Sequence, residues 1–251
     1  MVSLHDLLQY LEQLLIPEDF RDYAPNGLQV EGRPEVKTLV SGVSASLALI
    51  EAALARDADA VLVHHGYFWK GESPVIRGMK RQRLQRLLSN DLSLIAYHLP
   101  LDAHPRLGNN VQLGERLGWP VDGVFGSTRP PLGVYARFDS PLSVSSVHEH
   151  LYHVLGRQPL HIAGSRQALR RIGWCTGAAQ SYIEEAAALG LDAFVSGEIS
   201  EQTVHVVRET GIHYFAAGHH ATERYGVEAL GRHLAERFGL CHHFIDIDNP
   251  V

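Results

Sequence analysis

Two cysteines and two methionines are all the sulfur in a chain of 251 residues. Cys175 and Cys241 stand far apart with no CxxC spacing, so they read as structural thiols of a protein in a reducing compartment, the cytoplasm. Any metal site must then be built from nitrogen and oxygen. Long apolar runs are also missing, and none approaches the length that spans a bilayer. The opening text MVSLHDLLQYLEQLL lacks a basic n-region and carries Asp6, Gln9, Glu12 and Gln13 among its leucines, so it reads as an amphipathic helix and not as a signal peptide. Basic charge is short: 22 Lys and Arg stand against 28 Asp and Glu, a net charge of -6, which argues against a general nucleic-acid coat. No GxxxxGK[ST] occurs, so no P-loop cradles a phosphate. Low-complexity tracts and short repeats are absent as well.

What remains is a chain with 45% hydrophobic residues, enough for a sizeable core, and 16 histidines. Leu4, Leu7, Leu8, Leu11, Leu14 and Leu15 fall at helical spacing behind Ser3 as N-cap. The text then alternates between strands and helices: VKTLVSGVSAS, a helix capped by Ser46, DAVLVHHG, the basic helix KRQRLQRLL, the strand LSLIAYHLPLD and the helix NNVQLGERLG. A Gly/Pro-rich stretch, GVFGSTRPP, suggests a lobe boundary, and the alternation resumes with LGVYARF and runs to the closing strand CHHFIDIDN. This is the pattern of an α/β protein with mostly parallel, partly mixed sheets covered by helices. Two α/β lobes are expected, at residues 1–125 and 126–251. His148, His150 and His153 share one polar helix and are assigned no role.

Four expected strands end on polar residues: His64 and His65, then His98 and Asp102, then Ser196 and Glu198, then His219, His220 and Glu223. In open α/β sheets, ligands bind beyond the carboxyl ends of the strands. Neighbouring strand residues point to opposite faces, so His64 and His65 can face one site only if the strand has ended and the chain has turned, which Gly66 permits. His219 and Glu223 lie one helical turn apart and can chelate together. Asp102 follows Pro100, in a segment expected away from helix. His64, His65, Asp102, His219 and Glu223 exceed the needs of one tetrahedral ion; a carboxylate of Asp102 shared by two ions, each with an open water position, fits the count better.

Each feature has a plainer alternative. Paired histidines are often loop or core residues, HxxxE recurs by chance, and Glu198 can cap the next helix. Tyr67, Phe68 and Trp69 read first as packing or interface residues, and Lys80, Arg81, Arg83 and Arg86 as a solvated helix face. Jointly, the five donors favour a metal site.

Several long motifs, RDYAPNGLQVEG, VHHGYFWKGESPVIRGMKR, HLPLDAHPRLGNN, SGEISEQT, AAGHHATERYG and FIDIDNP, make the chain resemble the NIF-three-like family, also called the GTP cyclohydrolase I type 2 homologues, and within it the bacterial YbgI-type proteins. The resemblance covers nearly the whole chain and is weakest between Val121 and Arg170. It implies a ring-shaped homohexamer of interlinked α/β lobes, with a dinuclear metal centre between them that faces the inner cavity. It places the metal ligands on His64, His65, Asp102, His219 and Glu223, with His98 outside the ligand set and able to transfer protons.

The function expected on these grounds is a dinuclear-metal-dependent hydrolase that acts on a purine nucleotide, by GTP cyclohydrolase-like ring opening through a metal-bridging hydroxide. His98 and Glu198 are its candidate catalytic residues, and the basic helix and the aromatics after His65 can hold phosphate and base. The alternatives are a metal phosphoesterase, or a metal-stabilised ring that binds partners or nucleic acid without catalysis. Nucleic acid is disfavoured by the charge, and no membrane partner is expected. The cofactors would be two divalent ions per chain; Zn, Fe, Mn and Ni all suit His and carboxylate donors.

Overall fold

The structure is a computed structural model and describes residues 1–251. Its first elements are β1 (Val2–Ser3), α1 (Leu4–Leu15), β2 (Gly27–Val30), β3 (Glu35–Val36), β4 (Thr38–Ser44), α2 (Leu47–Leu54), β5 (Ala60–His65), α3 (Gly78–Leu88), β6 (Ser93–Ala96) and α4 (Leu99–Ala103). Then come α5 (Asn109–Leu117), β7 (Gly123–Phe125), β8 (Gly133–Leu142), α6 (Val144–Leu155), β9 (Leu160–Ile162) and β10 (Leu169–Cys175). The chain closes with α7 (Ile183–Ala188), β11 (Ala193–Ser196), α8 (Glu201–Thr210), β12 (His213–Ala216), α9 (His219–Phe238) and β13 (Cys241–Phe244). Contacts divide it into one compact unit of residues 1–108 and 226–248 and another of residues 109–225 and 249–251. The Gly/Pro-rich stretch from Gly123 falls inside the second of these, and its first residues form β7.

The first unit is built on a five-stranded sheet in the order β13-β4-β5-β6-β2. All its pairings are parallel except that of the edge strand β2. Alternation sends Val40, Val61, Val63 and Leu94 to one face, in a cluster with Leu49, Ile50 and Ala53 of α2 and Leu84 and Leu87 of α3. It sends Leu39, Leu62 and Ile95 to the other face, in a cluster with Leu4, Leu7, Leu11 and Leu15 of α1 and Val227, Leu230 and Leu234 of α9. With both faces covered, strands such as AVLV are apolar throughout, as buried parallel strands must be. Ser3 and Ser46 start α1 and α2 as expected, their hydroxyls accepting from the backbone N–H of Asp6 and Leu49.

Around the carboxyl ends of β5 and β6 the structure departs from two expectations. The strand β5 does not stop before the histidines: His65 still pairs with Ser44 of β4. Its other neighbour, β6, has its last partner at Ala96 opposite Val63. The final two residues are thus held on one side only, and the imidazoles lean together with ring centroids 4.6 Å apart. Asp102 is not in extended chain. It lies in α4, where Pro100 occupies the first turn. A proline there lacks only an N–H that has no intrahelical partner anyway, so it begins the helix instead of forbidding it.

The second unit has a six-stranded sheet in the order β7-β8-β10-β11-β12-β9. Only the central β10, β11 and β12 run parallel; β7, β8 and β9 join antiparallel, so this sheet is more mixed than the alternation suggested. Leu113 and Leu117 of α5 and Val147, Leu151 and Leu155 of α6 pack against Val134, Ile172, Trp174, Val195 and Phe215. The helix α8 starts at a capping box formed by Ser200 and Thr203. Because Ser200 serves as the cap, the side chain of Glu198 is left for another partner.

Candidate metal centre

In the first unit, β5 delivers His64 and His65, the turn after β6 delivers His98, and α4 delivers Asp102. Candidate ligand atoms of His64, His65 and His98 all lie within 4.8 Å of one another, a grouping that could hold a metal ion. Asp102 Oδ1 is 3.4 Å from His64 Nε2. His64, His98 and Asp102 are buried, and His65 is half-buried.

Each ring is held by its Nδ1. That of His64 donates to the carbonyl of Tyr97 at 3.0 Å. The carboxylate of Asp22 accepts from that of His98 at 2.9 Å, and Ser44 Oγ lies 3.0 Å from that of His65. A carbonyl or a carboxylate can only accept, so in neutral His64 and His98 the lone pair sits on Nε2. Orientation of an imidazole through its outer nitrogen is how proteins prepare a metal ligand. It is also the strongest sign that the donors fit a cation.

Asp22 is tightly held. It accepts from Asn26 Nδ2 and from the backbone N–H groups of Ala24 and Leu99 as well as from His98, and Asn26 Oδ1 accepts from the backbone of His98. Burial alone would push its carboxyl up, but the hydrogen bonds from His98, Asn26 and Ala24 outweigh this and hold it at about 2. Neither Asp22 nor Asn26 was singled out from the sequence as a site residue. The only signal was the turn-forming text DYAPNG, whose link to His98 spans 76 residues.

The second unit brings together Glu198, just past β11, and His219 and Glu223 on the first turn of α9. Glu198 Oε1 is 2.7 Å from His219 Nδ1, and Glu223 Oε2 is 3.1 Å from His219 Nε2. Burial lowers the affinity of His219 for a proton, but the carboxylates of Glu223 and Glu198 overcome it and push its pKa up to about 9. A ring clasped by carboxylates at both nitrogens calls for positive charge, and at Nε2 a metal ion can replace the proton. Glu223 has this place because Gly177, just past β10, has no side chain: a Cβ there would collide with Glu223 Oε1. Thr222 Oγ1 accepts from the N–H of Gly177 at 3.1 Å and lies 2.9 Å from the carbonyls of Gly218 and His219, so it ties the β10 end to the start of α9.

The aromatic loop after His65 divides. Tyr67 is buried and donates to the carbonyl of Ala45 at 2.5 Å, and Phe68 is exposed. Trp69 turns back, its ring centroid 5.2 Å from that of His98. Two charges of the basic helix α3 have local partners: Lys80 pairs with Glu72 at 3.1 Å and Arg86 with Glu51 at 3.6 Å.

Comparison with known proteins gives a consistent result. The model of the family described as Duf34/NIF3 (NGG1p interacting factor 3) matches residues 2–250. A protein of Allochromatium vinosum named GTP cyclohydrolase 1 type 2 homolog is 56% identical over 251 residues, covering 100% of this chain and 98% of its own. A Pseudomonas aeruginosa protein of the same name is 53% identical, with 100% and 99% covered. Among solved structures, protein ybgI, of unknown function, is 50% identical and superposes with a TM-score of 0.96 over 100% of both chains. A Thermus thermophilus protein is 33% identical, with a TM-score of 0.91 over 100% of both chains.

Proposed function

From the premise that this chain belongs to the Duf34/NIF3 family, we propose that it is a dinuclear-metal-dependent hydrolase acting on a purine nucleotide. His64, His65, Asp102, His219 and Glu223 would hold two divalent ions, with the carboxylate of Asp102 shared between them. Zn, Fe, Mn and Ni all suit this set of imidazoles and carboxylates. The observation that carries the reading is the outward anchoring of the three imidazoles proposed as ligands: Tyr97, Ser44 and Glu198 hold the Nδ1 atoms of His64, His65 and His219, so each Nε2 can meet a cation. When bound, the ions supply Lewis-acid polarisation and make water acidic enough to ionise near neutral pH.

The chain's own groups handle the proton. His98 is placed to accept one at Nε2, because its Nδ1 donates to Asp22 and the ring's lone pair is thereby left on Nε2. Glu198 orients His219 and is open enough to solvent to exchange a proton with it. The nucleotide preference rests on the relatives, which are named for GTP cyclohydrolase. The reaction that fits is hydrolytic opening of a purine ring at an electrophilic carbon. A screen of metal-loaded protein against GTP, other purine nucleotides and simple phosphoesters tests it, with chelator-stripped protein as control. Metal-dependent turnover of GTP supports the proposal; no turnover of any member would remove it.

For the assembly we propose the ring-shaped homohexamer. Its support within the chain is a run of exposed apolar residues, Phe68, Val75, Ile76 and Met79, along one surface segment.

A further inference from the structure

Beside the histidines of the first unit stands an aromatic pair that the proposed chemistry does not use. Tyr23 is 54% exposed, yet it is fixed in place. Its carbonyl accepts from the N–H of Lys70 at 2.8 Å, which ties it to the loop carrying Trp69. Trp69 is anchored by its indole N–H, which donates to the carbonyl of Gly66 at 3.1 Å. The Tyr23 and Trp69 ring centroids lie 5.5 Å apart with planes tilted by 35°. Both rings meet His98 nearly edge-on, at 5.0 Å and 5.2 Å, and Trp69 also lies 6.0 Å from His65.

We propose that Tyr23 and Trp69 form a platform on which the base of a nucleotide stacks, so that the substrate is selected by its planar heteroaromatic ring. The proposal rests on the reading of this centre as one that processes nucleotides. The Tyr23 face, more than half in water and tied to the loop of the half-buried Trp69, offers apolar area at little cost in ordering. A planar base covers such a face whatever its sequence of hydrogen-bonding groups. A cation is the other guest that aromatic faces accept. Here it would sit beside the proposed divalent ions and be repelled, whereas a neutral ring carries no such penalty. The placement next to His98 and His65 would hold the base against the groups proposed to act on it.

Trp69 also provides the signal. It is the one tryptophan of the first unit, while Trp119 and Trp174 are buried in the second. Quenching that disappears in Trp69→Phe therefore reports on this platform. The probes are GMP and ribose 5-phosphate, titrated into the metal-loaded protein. GMP should quench Trp69 emission and ribose 5-phosphate should not. Tyr23→Ala, at an exposed position, should weaken GMP binding roughly tenfold or more, and Tyr23→Phe should leave it within about twofold. Equal GMP affinity in Tyr23→Ala and wild type would overturn the proposal, as would equal quenching by ribose 5-phosphate. A changed oligomeric state in Tyr23→Ala with GMP affinity intact would overturn it too, because the ring would then be an assembly contact. The outcome separates from that of the hydrolase reading: GMP binding through Tyr23 without any turnover removes the hydrolase and leaves the platform. Turnover of GTP with an unchanged KM in Tyr23→Ala does the reverse.

Discussion

Asp22 accepts a hydrogen bond from Nδ1 of His98 at 2.9 Å, and that contact determines which nitrogen of His98 is left to accept a proton. Replacing Asp22 by Asn puts a group there that can donate, and the ring can settle in the other tautomer. Turnover should fall about 10–100-fold, the usual cost of losing an orienting carboxylate. Metal content should change little, since Asp22 touches only His98 among the imidazoles. A stopped assay alongside elemental analysis checks both, and unchanged kcat in Asp22→Asn would contradict the role.

The same residue gives an acid-stability prediction. Its folded pKa of about 2 lies below the ordinary carboxylate value, so its contribution is present above pH ~4 and is lost as pH falls toward 2. Denaturant midpoints of wild type should drop over that window more steeply than those of Asp22→Asn. Parallel curves would show that the carboxylate does not stabilise the fold.

His242 provides a second pH test, away from the donors. Its Nε2 lies 2.8 Å from the fully buried Ser41 Oγ. Burial pushes its pKa down to about 4, and His243 and Arg232 add to the effect. A histidine that binds its proton less readily when folded contributes full stability above about pH 6.5, which is lost as pH falls toward 4. Wild type should therefore weaken between pH 7 and 5 more than His242→Gln does. An equal loss in both proteins would contradict this.

Gly177 adopts a left-handed backbone, with φ 67°, and faces Glu223. Gly177→Ala should add about 1–2 kcal/mol of backbone strain and force the Glu223 carboxylate aside. Lower thermal stability and loss of at least half the bound metal are expected. Full metal content in this variant would show that Glu223 is not held where the account requires.

Assembly should depend on the exposed apolar segment. Val75 and Ile76 are 58% and 56% exposed, so changing both to Asp leaves the core untouched. Light scattering should show a hexamer for wild type and smaller species for the double variant. A wild-type monomer would remove the ring.

Much of the fold was legible because its signals are local. The leucines of α1, the serine caps of α1 and α2, and the alternation of apolar strands with helices are written over short stretches, and α1 occupies the span its text suggested. The strand ends that carry His64, His65 and His98 in the first unit, and those that carry Glu198 and His219 in the second, were legible for the same reason. The short edge strands β2 and β7 were missed, as four and three residues carry too little periodicity to register. Asp102 was misplaced because Pro100 was read as a helix breaker when it occupies a first turn. The groups that hold the imidazoles are non-local and could not be read. Asp22 meets His98 across 76 residues, and Tyr97 holds His64 through a backbone carbonyl, which any residue would supply.

The central claim is that these donors hold two metal ions through a shared Asp102. Its most direct test is elemental analysis of protein loaded with divalent metal and then freed of weakly bound ions, wild type beside Asp102→Ala. The account predicts about two divalent ions per wild-type chain and one or none in the variant, with both proteins folded. No retained metal in wild type, or the same content in both proteins, would contradict it.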